Sequence, residues 1–320
     1  MVTATGLPGI AAVIALIFTF TTVQQADDTL RVSEQGQITD RYNDAVTNLG
    51  SDTVDQRLGG IYALQRIMTD STRDQPTVVR VLSAFVRVHA SASDRTRGRA
   101  RNGEAPPDIT AALNVLCTRA NGPHDTAPVD LHGTDLRQAN LGIEAESGHS
   151  AGCLPDISNG DPIGADFTGA DLTSADLTSA SLIGTKLTNA SLHGADLTRA
   201  NLNVADLSGA DLGGANLTRT NLARAVLYSA DFYKADLTDA FLWGADLTRA
   251  DLRYANFNGA NLKGADLKDA YLQGADLKKA RGLTLSQVVS AHPGPSTKLP
   301  ADLASDPKVL ARIAAVGAVG

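Results

Sequence analysis

Carboxylates recur at fixed spacing through the second half of the chain. Asp171, Asp176, Asp196, Asp206, Asp211, Asp231, Asp236 and Asp246 are separated by multiples of five residues. Paired carboxylates can run general acid–base chemistry or hold a metal, but only where their environments differ and tune each one separately. A ladder of equal carboxylates at equal spacing offers no such asymmetry and reads as a positional preference of a repeat. The one cluster in the sequence that resembles soft metal ligands is Cys117, His124, His149 and Cys153. Their spacing fits no zinc pattern, so they read as loop residues and no metal is expected. The chain has no Walker loop, dinucleotide fingerprint, Gly-x-Ser-x-Gly turn or metalloprotease helix. No catalytic residue and no cofactor is therefore nominated, and an enzyme is not expected.

The carboxylates belong to the unit Ala-Asp-Leu-x-x, repeated from Ala165 to Leu277. Of its 23 central positions, twenty are Leu and three are Phe167, Phe232 and Phe257. The position two before is Ala except at Thr185 and Thr220. At roughly 100° per residue, a period of five gives a helix no apolar face. Within the unit, Ala, Asp and Leu alternate as in a strand, and the next two residues suit a turn, with Gly tolerating positive φ. Each unit is thus a short strand and a bend, with Ala and Leu inward and Asp outward. Such units bury their apolar side only by stacking.

These residues resemble the pentapeptide-repeat family. The resemblance implies a right-handed quadrilateral β-helix with four units per coil, so that residues twenty apart stack. Thr178, Thr198, Thr218 and Thr238 then form one ladder, and Asp176, Asp196, Asn216, Asp236, Asn256 and Asp276 another. A prelude from Val129-Asp130-Leu131 is off register by one, which makes 144–164 a loop within a β-helical segment spanning 129–281.

Residues 1–26 differ in kind. Leu7 to Val23 carries no charge, lacks a signal peptide's basic start, and is near the shortest bilayer span of about 17 residues. It reads as a transmembrane anchor. Arg31 and Arg41 follow it and no Lys or Arg precedes it, so a single-pass cell-membrane protein with cytoplasmic soluble parts is expected. Residues 27–122 read as a small all-α domain, with apolar residues at helical spacing through Val54–Ile67 and Val78–Val88, and a third helix through Ile109–Cys117. Thr53-x-x-Gln56 resembles a capping box, and Ser91–Glu104 an exposed linker. Glu34-Gln35-Gly36-Gln37 and Arg57-Leu58-Gly59-Gly60-Ile61-Tyr62-Ala63-Leu64 are similar to a group of membrane-anchored bacterial members of the family. Residues 282–320 form a capping helix, with Thr284-x-x-Gln287 as its box, and a mobile Ala-rich tail.

Function has to be read from departures from the pattern. Tyr228, Tyr233, Phe241, Trp243 and Tyr254 replace small polar residues at outward positions, and Val226 also breaks the pattern. Clustered exposed aromatics mark interaction surfaces or a docking site for another part of the chain. The expectation is a non-catalytic, membrane-anchored scaffold for an unidentified protein partner. The family resemblance supplies the alternative, a DNA mimic that binds DNA gyrase or topoisomerase through a strongly acidic face. A net charge of −7 gives no basic footprint, so no direct nucleic-acid binding is expected.

Overall fold

The computed structural model describes residues 36–90, 106–118, 129–137 and 165–317. The expected anchor at 1–26, the expected linker at 91–104 and the expected loop at 144–164 lie outside them, as do His124, His149, Cys153 and the side chain of Cys117. Among the described residues no helix is long and apolar enough to cross a membrane.

Four helices come first: α1 (36–49), α2 (Val54–Asp70), α3 (Gln75–His89) and α4 (Pro107–Thr118). α2, α3 and α4 pack on one another around Ile61, Leu64, Val78, Val79, Leu82, Ile109 and Leu116, all nearly or fully buried. α1 joins them through Ala45 and Leu49, and crosses α2 so closely that a Cβ on Gly60 would stand 2.6 Å from the Ala45 carbonyl oxygen. Pro76 sits in the first turn of α3, where its missing N–H costs no helical hydrogen bond. Arg57 Nε donates to the buried Asp108 at 2.6 Å, tying α2 to the start of α4. The expected Thr53–Gln56 capping box is not formed. Thr53 makes no side-chain cap bond, because Ser51 donates to the Gln56 side chain instead.

From Ala165 to Arg281 the chain winds as a rod of short parallel bridges between residues twenty apart, four to a coil, and two more, Tyr271 to His292 and Asp276 to Lys298, join the rod to the segment that follows. The first face carries Asp166, Lys186, Asp206, Val226, Asp246 and Asp266 at its bridge positions. The second carries Asp171, Ser191, Asp211, Asp231, Asp251 and Tyr271. The third carries Asp176, Asp196, Asn216, Asp236, Asn256 and Asp276, and the fourth Ser181, Asn201, Asn221, Phe241, Asn261 and Arg281. A leading coil pairs Asp130 with Asp166 and Asp135 with Asp171. Those separations are 36 residues, one more than a multiple of five, which accounts for the off-register prelude. Seven rungs on the first face make a rod about 29 Å long at a spacing of ~4.8 Å.

The unit's residue types follow from this geometry. Ala and Leu fill the axis and are nearly all fully buried, as are Phe167, Phe232 and Phe257. Where Thr replaces Ala, the buried hydroxyl finds a carbonyl: Thr185 donates to Leu182 at 2.8 Å and Thr220 to Leu197 at 2.7 Å. Each Asp or Asn accepts the N–H two residues on, as Asp176 does from Thr178 at 2.9 Å, and so fixes the bend. The last residue of the bend is left-handed, and thirteen non-glycine residues adopt this conformation, Ser174 and Val204 among them. Glycine is therefore one solution among several at the corner.

Both ends of the rod are covered. At the first coil the Ala90 carbonyl accepts the Asp135 N–H at 2.5 Å, Ser83 accepts that of Asp130 at 3.4 Å, and Arg87 pairs with Asp130. At the far end stand α5 (Leu285–Ser290), α6 (Ala301–Ala304) and α7 (Pro307–Gly317). Thr284 and Gln287 form the expected capping box. Gln287 Nε2 also donates to the carbonyls of Leu262 and Ala265, at 2.9 and 2.8 Å. The tail packs rather than moving freely: Val309 is fully buried and Arg312 donates to the Ala291 carbonyl at 2.7 Å.

Candidate interaction surface

Most of the backbone on the flat faces of the rod is already engaged, because coil-to-coil hydrogen bonds of 2.6–3.1 Å run along all four. Recognition must come from the outward side chains. On the third face these are the expected Asp/Asn and Thr ladders, and no aromatic interrupts them. Asn256 Nδ2 reaches across coils to Asp236 at 3.1 Å and Thr238 at 2.9 Å, so that ladder is bonded to itself.

The five aromatics are exposed by 37–55%, but they are not one patch. Tyr228 is on the first face, Tyr233 and Tyr254 on the second, and Phe241 and Trp243 on the fourth. Tyr233 and Tyr254 meet edge to face with ring centres 5.6 Å apart. Phe241 and Trp243 flank the same short strand, their backbone carbonyls accepting Leu222 N and Arg224 N at 2.7 and 2.9 Å. Tyr271, exposed by 47%, is a further aromatic on the second face, stacked on His292 at 5.3 Å. It stands twenty residues after Asp251, so the repeat itself signals it.

Cations hold three of these rings. The Arg224 guanidinium lies 4.9 Å from the Trp243 ring, and Lys234 and Arg253 lie 5.1 and 5.8 Å from that of Tyr233. Arg249 stands 5.9 Å from the Tyr228 ring and donates to its hydroxyl at 2.9 Å. Such contacts contribute about 0.5–1 kcal/mol at exposed sites and reduce the side-chain entropy a partner must freeze. Arg253 also chelates Asp251, whose hydrogen bonds hold the guanidinium above its usual pKa. Sequence periodicity contains these pairs, since Arg253 is twenty residues after Tyr233 and Arg224 nineteen before Trp243. Among the described residues no group of three His, Cys, Asp or Glu side chains is placed to hold a metal.

The pentapeptide-repeat family model, described as pentapeptide repeats, matches eight copies across residues 165–203, 205–244 and 245–281. Solved relatives carry the same repeats at about 30% identity. One, from the Arabidopsis thaliana thylakoid lumen, is 31% identical over 34% of this chain and 68% of its own, with a TM-score of 0.23. Another is HetL, involved in heterocyst differentiation regulation in the cyanobacterium Nostoc. It is 30% identical over 54% of this chain and 77% of its own, with a TM-score of 0.18. The chain belongs to the pentapeptide-repeat family. Its rod is accordingly the right-handed quadrilateral β-helix of pentapeptide repeats. QnrB1, a plasmid-mediated fluoroquinolone resistance protein, is also similar: 21% identical over 59% of this chain and 82% of its own, with a TM-score of 0.35. No curated protein matches the sequence.

Proposed function

We propose that this pentapeptide-repeat chain is a non-catalytic protein-interaction scaffold, tethered to a membrane through residues 7–23. One observation carries the interaction reading. Phe241, Trp243, Tyr228, Tyr233 and Tyr254 stand half-exposed at positions where other coils hold residues such as Asn, Thr, Ser or Gly, so folding does not call for them. Buried aromatics dominate the energy of protein interfaces. The tether is supported by the uncharged run Leu7–Val23 alone. A DNA mimic of the kind the family includes needs a strongly acidic face. Here the carboxylates share their faces with cations such as Lys186, Arg253 and Lys278, so the scaffold reading is preferred.

The test is affinity capture with a variant carrying Tyr233→Thr, Phe241→Asn and Trp243→Thr. It is expected to keep the wild-type circular dichroism spectrum and to lose the proteins that the wild type retains. An unchanged set of retained proteins, or an unfolded variant, overturns the proposal.

A further inference from the structure

We infer that the fourth face of the rod binds an acidic protein segment. This rests on the scaffold reading and gives its partner a chemistry. No outward position of that face from Ser181 to Arg281 is Asp or Glu, whereas each of the other three carries at least four carboxylates. The fourth face instead presents Arg224, Lys263 and Arg281, none of which makes an ion pair with a described residue. On the other faces every cation shares its face with carboxylates, and some pair directly with one: Arg253 with Asp251, Arg219 with Asp239 at 4.0 Å, and Lys298 with Asp276 at 3.0 Å. The fourth face is thus the one side of the rod where a carboxylate can approach three cations without meeting another carboxylate.

The aromatics complete the surface. Phe241 and Trp243 are exposed by 47% and 44%, and Arg224 lies over the Trp243 ring. Lys263 stands one coil on, its carbonyl accepting the Gly244 N–H at 3.1 Å. The result is a flat apolar platform edged by cations, suited to a segment whose acidic residues alternate with apolar ones. A bilayer is a poorer fit, because rings lying half-buried against the rod do not protrude to insert. A nucleic acid is also a poorer fit. Three cations are sparse against a phosphate every ~3.4 Å per strand, and a densely charged polymer also meets the flanking acidic faces of a chain with net charge −7.

The chain contains one Trp, and it lies on this face, so its emission reports occupancy directly. The full chain is titrated with a random copolymer of glutamate and tyrosine, exciting the Trp selectively. The expected result is a saturable change in emission that weakens as salt is raised. Arg224→Glu with Lys263→Glu should lower the affinity about tenfold or more. The same charge change on the first face, Lys186→Glu with Lys268→Glu, should leave it within about twofold. Circular dichroism confirms that each variant is folded. Equal losses in both double variants overturn the inference. So does a response to phosphatidylserine vesicles or oligothymidylate with none to the copolymer. If the copolymer fails to bind while capture by the wild type still depends on Phe241 and Trp243, the acidic assignment falls and the scaffold reading stands.

Discussion

Replacing Leu222 by Ala should cost about 4 kcal/mol, in the upper part of the ~2–5 kcal/mol range for buried Leu→Ala changes. Leu222 is fully buried, between Leu202 one coil before and Leu242 one coil after, both also fully buried. The cost is high because the void cannot close. Leu222 N donates to the Phe241 carbonyl at 2.7 Å and Asn221 N to that of Ala200 at 2.9 Å, so the strand is clamped to both neighbouring coils. Asp236→Ala is the matched outward change. It removes an acceptor for Thr238 N at 3.0 Å, Thr238 Oγ1 at 2.6 Å and Asn256 Nδ2 at 3.1 Å. Water replaces much of that, leaving a cost of about 1–1.5 kcal/mol. Urea unfolding followed by circular dichroism separates the two, the shift in midpoint at constant slope giving the loss. Repeat arrays can unfold in steps, so the first transition is the one compared. Equal shifts for Leu222→Ala and Asp236→Ala would refute the inward and outward assignment.

Val204→Asn should stabilise the rod by about 1 kcal/mol. A β-branched residue is strained at its φ of +53°, and Asn tolerates that region better; an unchanged or lowered urea midpoint would contradict this. Burial pushes the Asp276 carboxyl up, but the Lys298 ammonium and the Lys278 N–H outweigh it and hold it below its ordinary 3.8. Asp276 therefore stabilises the C-terminal cap fully above that ordinary value, and loses its contribution as pH falls through the lower folded-state value. The melting gap between wild type and Asp276→Asn should be open at neutral pH and narrow as the pH falls below the ordinary carboxylate value; a gap that stays constant into strong acid refutes the link. The full chain should fractionate with membranes, and removal of residues 1–26 should release it. Recovery of the full chain in the soluble fraction would remove the tether.

The rod is legible in the sequence because one five-residue rule states the strand, the bend and the buried residue together, and a second period of twenty states the stack. The aromatic positions are legible for the same reason, as departures from the rule. Their division among three faces, and the cations beside them, emerge only when the period of twenty is applied to every position rather than to the Asp and Thr ladders alone. Local pattern does not carry the seating of the helices on the first coil, because Arg87–Asp130 and Ala90–Asp135 join segments about 45 residues apart. Nor does it carry the packing of α7, since an Ala-rich stretch gives no sign that Val309 is buried and Arg312 bonded. At Thr53 the pattern matched a capping box, but Ser51 took the glutamine.

The claim that the aromatic positions meet a partner is tested most directly by placing a photo-crosslinking benzoylphenylalanine at position 241 in living cells, with position 218 on the uninterrupted third face as reference. The predicted result is a discrete protein adduct from position 241 and none from position 218. Equal labelling from both positions, or none from position 241 in the folded protein, would contradict it.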